Sequence, residues 1–304
     1  MTLGYTSALY ILAFDHRGSF QKKMFGITGQ PNSEETQKIT DAKTVIFEGF
    51  RKAIEEGGPK EAGGVLVDEQ FGAEAARRAK RDGLILAMPV EKSGQDEFDF
   101  QYGDDFGSHI EAFDPTFSKV LVRWNPEGDQ GMNERQGERL RTLGEWLHEH
   151  GRKYLFELLV PAEPGQLDSV GGDTDRYDRE LRPRLMMGAI EQLRAAGVEP
   201  DVWKIEGIDD RSSCEAIARL VRSDGRDGVV CVVLGRGADD TAVDHWLRQG
   251  AGVPGYVGFA IGRTIWWDAL KGYLDGSVDR DAAAKRISEN YRRFVDVYTS
   301  AANG

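Results

Sequence analysis

Two charged residues inside apolar runs give this sequence its most reactive pattern. The stretch "PDVWKIEGI", residues 200–208, alternates with period two: Val202, Lys204 and Glu206 fall on one face, Trp203 and Ile205 on the other. The run "YLFELLV", residues 154–160, carries Glu157 in the same manner. Burying an ammonium is costly, and desolvation favours the neutral amine. Such an amine attacks a carbonyl carbon at neutral pH and forms a Schiff base, and a neighbouring carboxylate can move the protons that imine formation and carbon–carbon chemistry require. A buried ion pair that merely fills a core is the competing reading. Replacing such a pair with apolar residues is often neutral or stabilising, so a core role alone explains little.

The elements that must hold these residues can be counted. Eight short apolar runs recur along the chain: 9–14, 63–68, 84–90, 119–124, 154–160, 201–206, 229–235 and 256–262. Amphipathic stretches such as 33–57, 133–151 and 182–197 lie between them, each ending at a glycine suited to a helix C-terminus. Strict strand–helix alternation demands a parallel sheet, and eight units predict a (β/α)8 barrel, a TIM barrel, as one domain over residues 1–304. A doubly wound open sheet is the runner-up, but no G-x-G-x-x-G follows the first run. Neighbouring strands five and six would then set Glu157 and Lys204 side by side. Two polar segments, 91–117 and 162–178, interrupt the alternation and are expected to be solvated excursions or lids over the barrel mouth.

In this fold the active site is built at the C-terminal ends of the strands. Those ends supply Asp15, His16 and Arg17; Asp68, Glu69 and Gln70; Arg123 and Asn125; Glu157; Lys204 and Glu206; Arg236; and Arg263. "LGRGAD", with Gly235 and Arg236, and "AIGRTIWW", with Gly262 and Arg263, suit a phosphate: the glycines allow close backbone approach, helix starts present N–H groups, and the guanidinium offers a fork of donors. Of five histidines only His16 stands at a strand end, too few for a zinc centre. Magnesium on Asp15, Asp68 or Glu69 is the remaining metal reading; the expectation is no metal and no organic cofactor.

Composition narrows the partners. The 304 residues are 40% hydrophobic, and the net charge of −12 argues against a nucleic-acid surface. An acidic protein can still take an anionic metabolite where it gathers cations in a pocket. No run is long enough to cross a membrane and the N-terminus lacks the layout of a signal peptide, so no membrane partner is expected. The two cysteines, Cys214 and Cys231, form no disulfide framework, which suits a cytoplasmic compartment. A homo-oligomer is compatible with all of this.

The pieces "LYILAFDHRGSF", "VLVDEQFG", "FELLVP", "DVWKIEG" and "GFAIGRTIWWDAL" resemble the class I aldolases of the tagatose-1,6-bisphosphate aldolase type, and more closely the aldolase-like C-terminal domain of bifunctional inositol-catabolism kinase/aldolase proteins. The resemblance runs over essentially the whole chain. It implies Lys204 as the imine-forming residue, Glu157 as acid and base, Gly262 and Arg263 on a substrate phosphate, and Asp15, His16 and Arg17 near the substrate. We group Asp15 with the two catalytic residues, and count Asp68, Arg123, Gly235 and Arg236 with the substrate-binding set. The implied substrate is a phosphorylated keto sugar, first 2-deoxy-5-keto-gluconate 6-phosphate, cleaved to dihydroxyacetone phosphate and malonate semialdehyde. Another ketose (bis)phosphate, a sulfonated sugar phosphate and a silent sugar-phosphate-binding barrel are the alternatives. His16-Arg17 stands where tagatose-type enzymes carry Gln-Arg, which leaves the sugar open.

Overall fold

The computed structural model describes residues 2–304. Eight parallel strands close into a barrel in chain order: β1 (Leu9–Ala13), β2 (Gly63–Leu66), β3 (Ile85–Pro89), β4 (Phe117–Arg123), β5 (Lys153–Leu159), β6 (Val202–Glu206), β7 (Val230–Leu234) and β8 (Tyr256–Ile261). Helices connect them, as parallel neighbours require, and the architecture is the (β/α)8 barrel the alternation predicts. Strand β4 starts at Phe117, two residues before its expected beginning, and a helix at Gly18–Phe25 precedes the long Ser33–Glu55 helix.

Aspartate and asparagine side chains start many of the helices. Asn32 forms a capping box with Glu35, and Asp68, Asp129, Asp210, Asp239 and Asp279 each accept a hydrogen bond from an N–H of the first turn.

The alternation along each strand produces two apolar layers. Leu9, Ile11, Phe117, Leu155, Val202, Val230 and Val232 plug the barrel interior. Trp203, Ile205, Phe156 and Leu158, from the opposite faces of the same strands, join the larger layer beneath the helices. Val202 therefore points inward and Trp203 outward, as the period-two reading requires, and Lys204 shares the face of Val202.

Both irregular segments sit at the mouth. After β3 the chain bridges back on itself between Glu91 and Phe100, then forms the short helix Phe106–Phe113. Arg17 and Arg123 tie it down by donating to the carbonyl oxygens of Glu91 and Gln95. The segment after β5 holds the helix Pro164–Ser169 and a wide π-helical turn at Tyr177–Leu181, where buried Tyr177 donates to the Val160 carbonyl. Among the described residues no helix is long and apolar enough to cross a membrane.

Candidate active site

Directly above the apolar plug the inward faces of β4, β5 and β6 turn polar. Glu157 pairs in register with Lys204 across β5 and β6, and Glu157 Oε2 lies 3.0 Å from Lys204 Nζ. Both are almost wholly shielded from solvent. A second lysine, Lys119 on β4, shares Glu157: its Nζ stands 3.0 Å from Glu157 Oε2, 2.9 Å from Asp15 Oδ2 and 2.8 Å from Glu91 Oε1. Three carboxylates thus surround one buried ammonium, which donates hydrogen bonds to Asp15 and Glu91 and is ion-paired with Glu157.

This arrangement fixes the protonation states. Burial by itself would lower Lys119, but Asp15, Glu157 and Glu91 outweigh it and hold the amine charged, well above the usual lysine range. Burial would raise Asp15 and Glu157; the Lys119 ammonium, aided by Lys204, holds both below their ordinary values. Glu91 goes the other way, pushed up by burial against the pull of Lys119 and Arg17. His16 is lowered to about 4, first by burial and then by Arg263, Lys43 and Lys204 against the opposing Asp15, so its ring is neutral at pH 7.

These residues open into a cavity of about 410 Å³ at the C-terminal ends of the strands. Its wall includes Asp15, His16, Arg17, Arg123, Glu157, Lys204, Gly235, Arg236, Gly262 and Arg263. Eight lysines and arginines face it against four carboxylates, so a protein of net charge −12 presents a cationic pocket. The Gly262–Arg263 corner is the least compensated. The helix Arg263–Leu274 begins at Gly262 without a side-chain cap, and the Arg263 guanidinium has no carboxylate partner among the described residues; its buried Nε has no hydrogen bond, and Nη2 donates to the Arg236 carbonyl at 2.9 Å. The glycines keep this corner open. A Cβ at Gly237, whose φ is +72°, would stand 2.2 Å from Arg263 Nη2, and one at Gly262 would stand 2.5 Å from the Ala13 carbonyl oxygen. Arg236, itself left-handed at φ +51°, is already held by Asp178 and Glu206.

Two expectations need correction. Asp68 is not on the cavity wall. It is 1% exposed, its Oδ2 caps the Glu69–Arg81 helix through the Phe71 N–H, and its Oδ1 binds the buried ammonium of Lys43, which also donates to the Phe14 carbonyl at 2.8 Å. A residue just past a short strand had become a helix cap instead of a rim group. The helix start after "LGRGAD" is also taken, because the Asp239 carboxylate accepts from the Ala242 N–H. Nor do Asp15, Asp68 and Glu69 converge: they face Lys119, Lys43 and His109 respectively.

Lys119, Glu91 and Lys43 went unnoticed in the sequence. Lys119 had a legible signal, since it shares the alternation of Leu121 and Arg123 along β4. Glu91 lies two residues beyond β3 in a polar stretch, and Lys43 sits on a helix among other charges, so neither stands out.

Fold and site together define a (β/α)8 barrel with a lysine–carboxylate centre under a cationic mouth. The chain belongs to the DUF2090 family, described as "Uncharacterized protein conserved in bacteria", whose model matches residues 4–302. Among solved structures, a fructose-bisphosphate aldolase from Plasmodium falciparum, in complex with TRAP and a small-molecule inhibitor, superposes with a TM-score of 0.68. The match covers 98% of this chain and 92% of that one at 12% identity, a likeness of fold. No curated protein matches the chain.

Proposed function

We propose that this protein is a Schiff-base aldolase that cleaves a phosphorylated keto sugar. The observation that carries the reading is the Lys204–Glu157 contact of 3.0 Å at the floor of a cationic cavity on the strand ends. The likeness in fold to a fructose-bisphosphate aldolase supports it at the coarser level of an aldolase. Of the two buried lysines on the cavity wall, Lys119 is ringed by three carboxylates and stays charged, so Lys204 is the amine left to attack.

In this reading Lys204 adds to the substrate ketone, and ionised Glu157 carries the protons of addition and dehydration. The iminium nitrogen then accepts the electron pair of the breaking carbon–carbon bond. Aldehyde departs, the enamine is protonated from Glu157 or a water it positions, and hydrolysis frees the ketone phosphate. Arg263 and the open N–H groups at Gly262 hold the phosphate, and neutral His16 can donate to or accept from a substrate hydroxyl without adding charge. Arg123 stands four strands away from Arg263, with Arg17 and Lys23 also on the wall. The Arg123 guanidinium suits an anionic far end, which favours 2-deoxy-5-keto-gluconate 6-phosphate, with its carboxylate, as the first substrate to test.

Borohydride reduction in the presence of dihydroxyacetone phosphate should place one reduced adduct on the peptide containing Lys204, read by intact and peptide mass. An adduct confined to another lysine, or none with any keto-sugar phosphate of a panel, overturns the assignment.

A further inference from the structure

The Schiff-base scheme leaves the buried acid Glu91 without a task. Glu91 is 5% exposed, and its Oε1 lies 2.8 Å from Lys119 Nζ and 3.6 Å from Arg17 Nη2. Its Oε2 is buried without a hydrogen-bond partner, in a residue that lines the cavity. A shielded carboxylate oxygen without a donor is costly, and a ligand hydroxyl entering the cavity would supply one. Contacts of 2.8, 3.0 and 3.0 Å lead from Glu91 through Lys119 and Glu157 to Lys204, so Glu157 touches the nucleophile and Glu91 lies farther along the cavity wall. The substrate hydroxyl oxygen that becomes the aldehyde oxygen is likewise removed from the imine nitrogen, by four bonds.

We propose that Glu91 is the catalytic carboxylate of the carbon–carbon step, taking the proton of that hydroxyl through Oε2. The inference rests on the Schiff-base reading above. In cleavage, the O–H bond breaks to Glu91 and its electron pair becomes the new C=O bond. The carbon–carbon bond breaks, and its pair forms the enamine and neutralises the iminium nitrogen. Glu91 leaves the step protonated and returns the proton to water; in condensation it protonates the aldehyde oxygen. Its environment suits the exchange, because burial raises Glu91 while Lys119 holds Asp15 and Glu157 down.

The test separates the half-reactions. Dihydroxyacetone phosphate alone probes imine and enamine formation, by borohydride trapping on Lys204 and by exchange of its α-proton in D2O, neither of which involves an aldehyde. Glu91→Gln should keep both within about threefold while cleavage of the keto-sugar phosphate turned over by the unmodified enzyme falls by on the order of a hundredfold or more. Glu91→Asp, which keeps the acid, should recover part of the cleavage, and it carries the comparison if the glutamine variant does not fold by circular dichroism. Cleavage that stays within about threefold in Glu91→Gln, or trapping, exchange and cleavage that fall together, overturns the role. Absence of any adduct in the unmodified protein instead removes the Schiff-base reading, and the role of Glu91 with it.

Discussion

Lys119→Met tests whether one buried ammonium holds the centre together. Lys119 is 1% exposed, and its three contacts of 2.8 to 3.0 Å go to Asp15, Glu91 and Glu157. Methionine fills a similar volume but leaves three shielded carboxylates around an apolar chain. Removing one partner of a buried ionic group costs about 3–5 kcal/mol. At roughly 2 °C per kcal/mol for a chain of this size, Tm should fall by about 6–10 °C. The pH dependence carries the sharper signature. Asp15 and Glu157 are depressed in the folded protein, so their contribution is present above their unfolded values of about 3.9 and 4.3 and is lost as the pH falls through the folded ones. Without Lys119 the facing carboxylates bind protons more tightly folded than unfolded. The penalty is then largest at neutral pH and is relieved by acid. Scanning calorimetry from pH 7.5 to 5 should show the gap between the two proteins narrowing. A gap that stays constant or widens, or a Tm within about 2 °C of the unmodified protein throughout, would refute the reasoning.

Arg263→Ala removes a charge-assisted, fork-shaped contact worth about 1.5–3 kcal/mol, so kcat/KM on a phosphorylated substrate should fall on the order of ten- to a hundredfold. Arg263→Lys should restore only part, and a substrate without the phosphate should barely respond; equal losses on both would move the phosphate away from Arg263. At the other end of the barrel Asp201 is fully buried and accepts from the N–H groups of Gly4 and Tyr154 at 2.7 and 2.8 Å and from Lys153 at 2.9 Å. Burial would raise it, but His148, Lys153 and the backbone donors hold it low, so its stabilisation is present above about pH 3.9 and disappears as acid protonates the folded form. Asp201→Asn should lower the urea midpoint at pH 7 by an amount equivalent to about 1.5–3 kcal/mol, with the difference shrinking below about pH 4.

The barrel was legible because its signal is repetitive. Each strand is an apolar run, each helix an amphipathic one, and eight repeats outweigh an uncertain boundary such as the start of β4. The Glu157–Lys204 pairing followed from the same regularity, since period-two alternation names the inward residues and consecutive strands of a closed barrel are neighbours. Asp68 failed for a local reason. An aspartate just past a short strand serves equally as a rim group or as a helix cap, and only the presence of Lys43 on another element decides.

Lys119 is hard to see in the sequence because it opens the apolar run 119–124, where a charged residue reads as the polar edge of a strand; the strand begins at Phe117, which puts Lys119 inside it. The stagger of the barrel explains why such a residue reaches the site. On one side Lys119 pairs with Pro89, the last residue of β3, while on the other it pairs with Leu155, two residues before Glu157. A position level with the top of one strand is therefore below the top of the next, and a long side chain spans the difference. Glu91 belongs to the same geometry, because two residues beyond Pro89 the chain has just left the sheet and turns its carboxylate back over Lys119. The centre is assembled diagonally across β3, β4, β5 and β6. Lys119 thus stands two inward positions below Arg123, the end of its own strand, yet level with Pro89 at the end of β3, and that stagger, which no single run of sequence displays, brings it into the site.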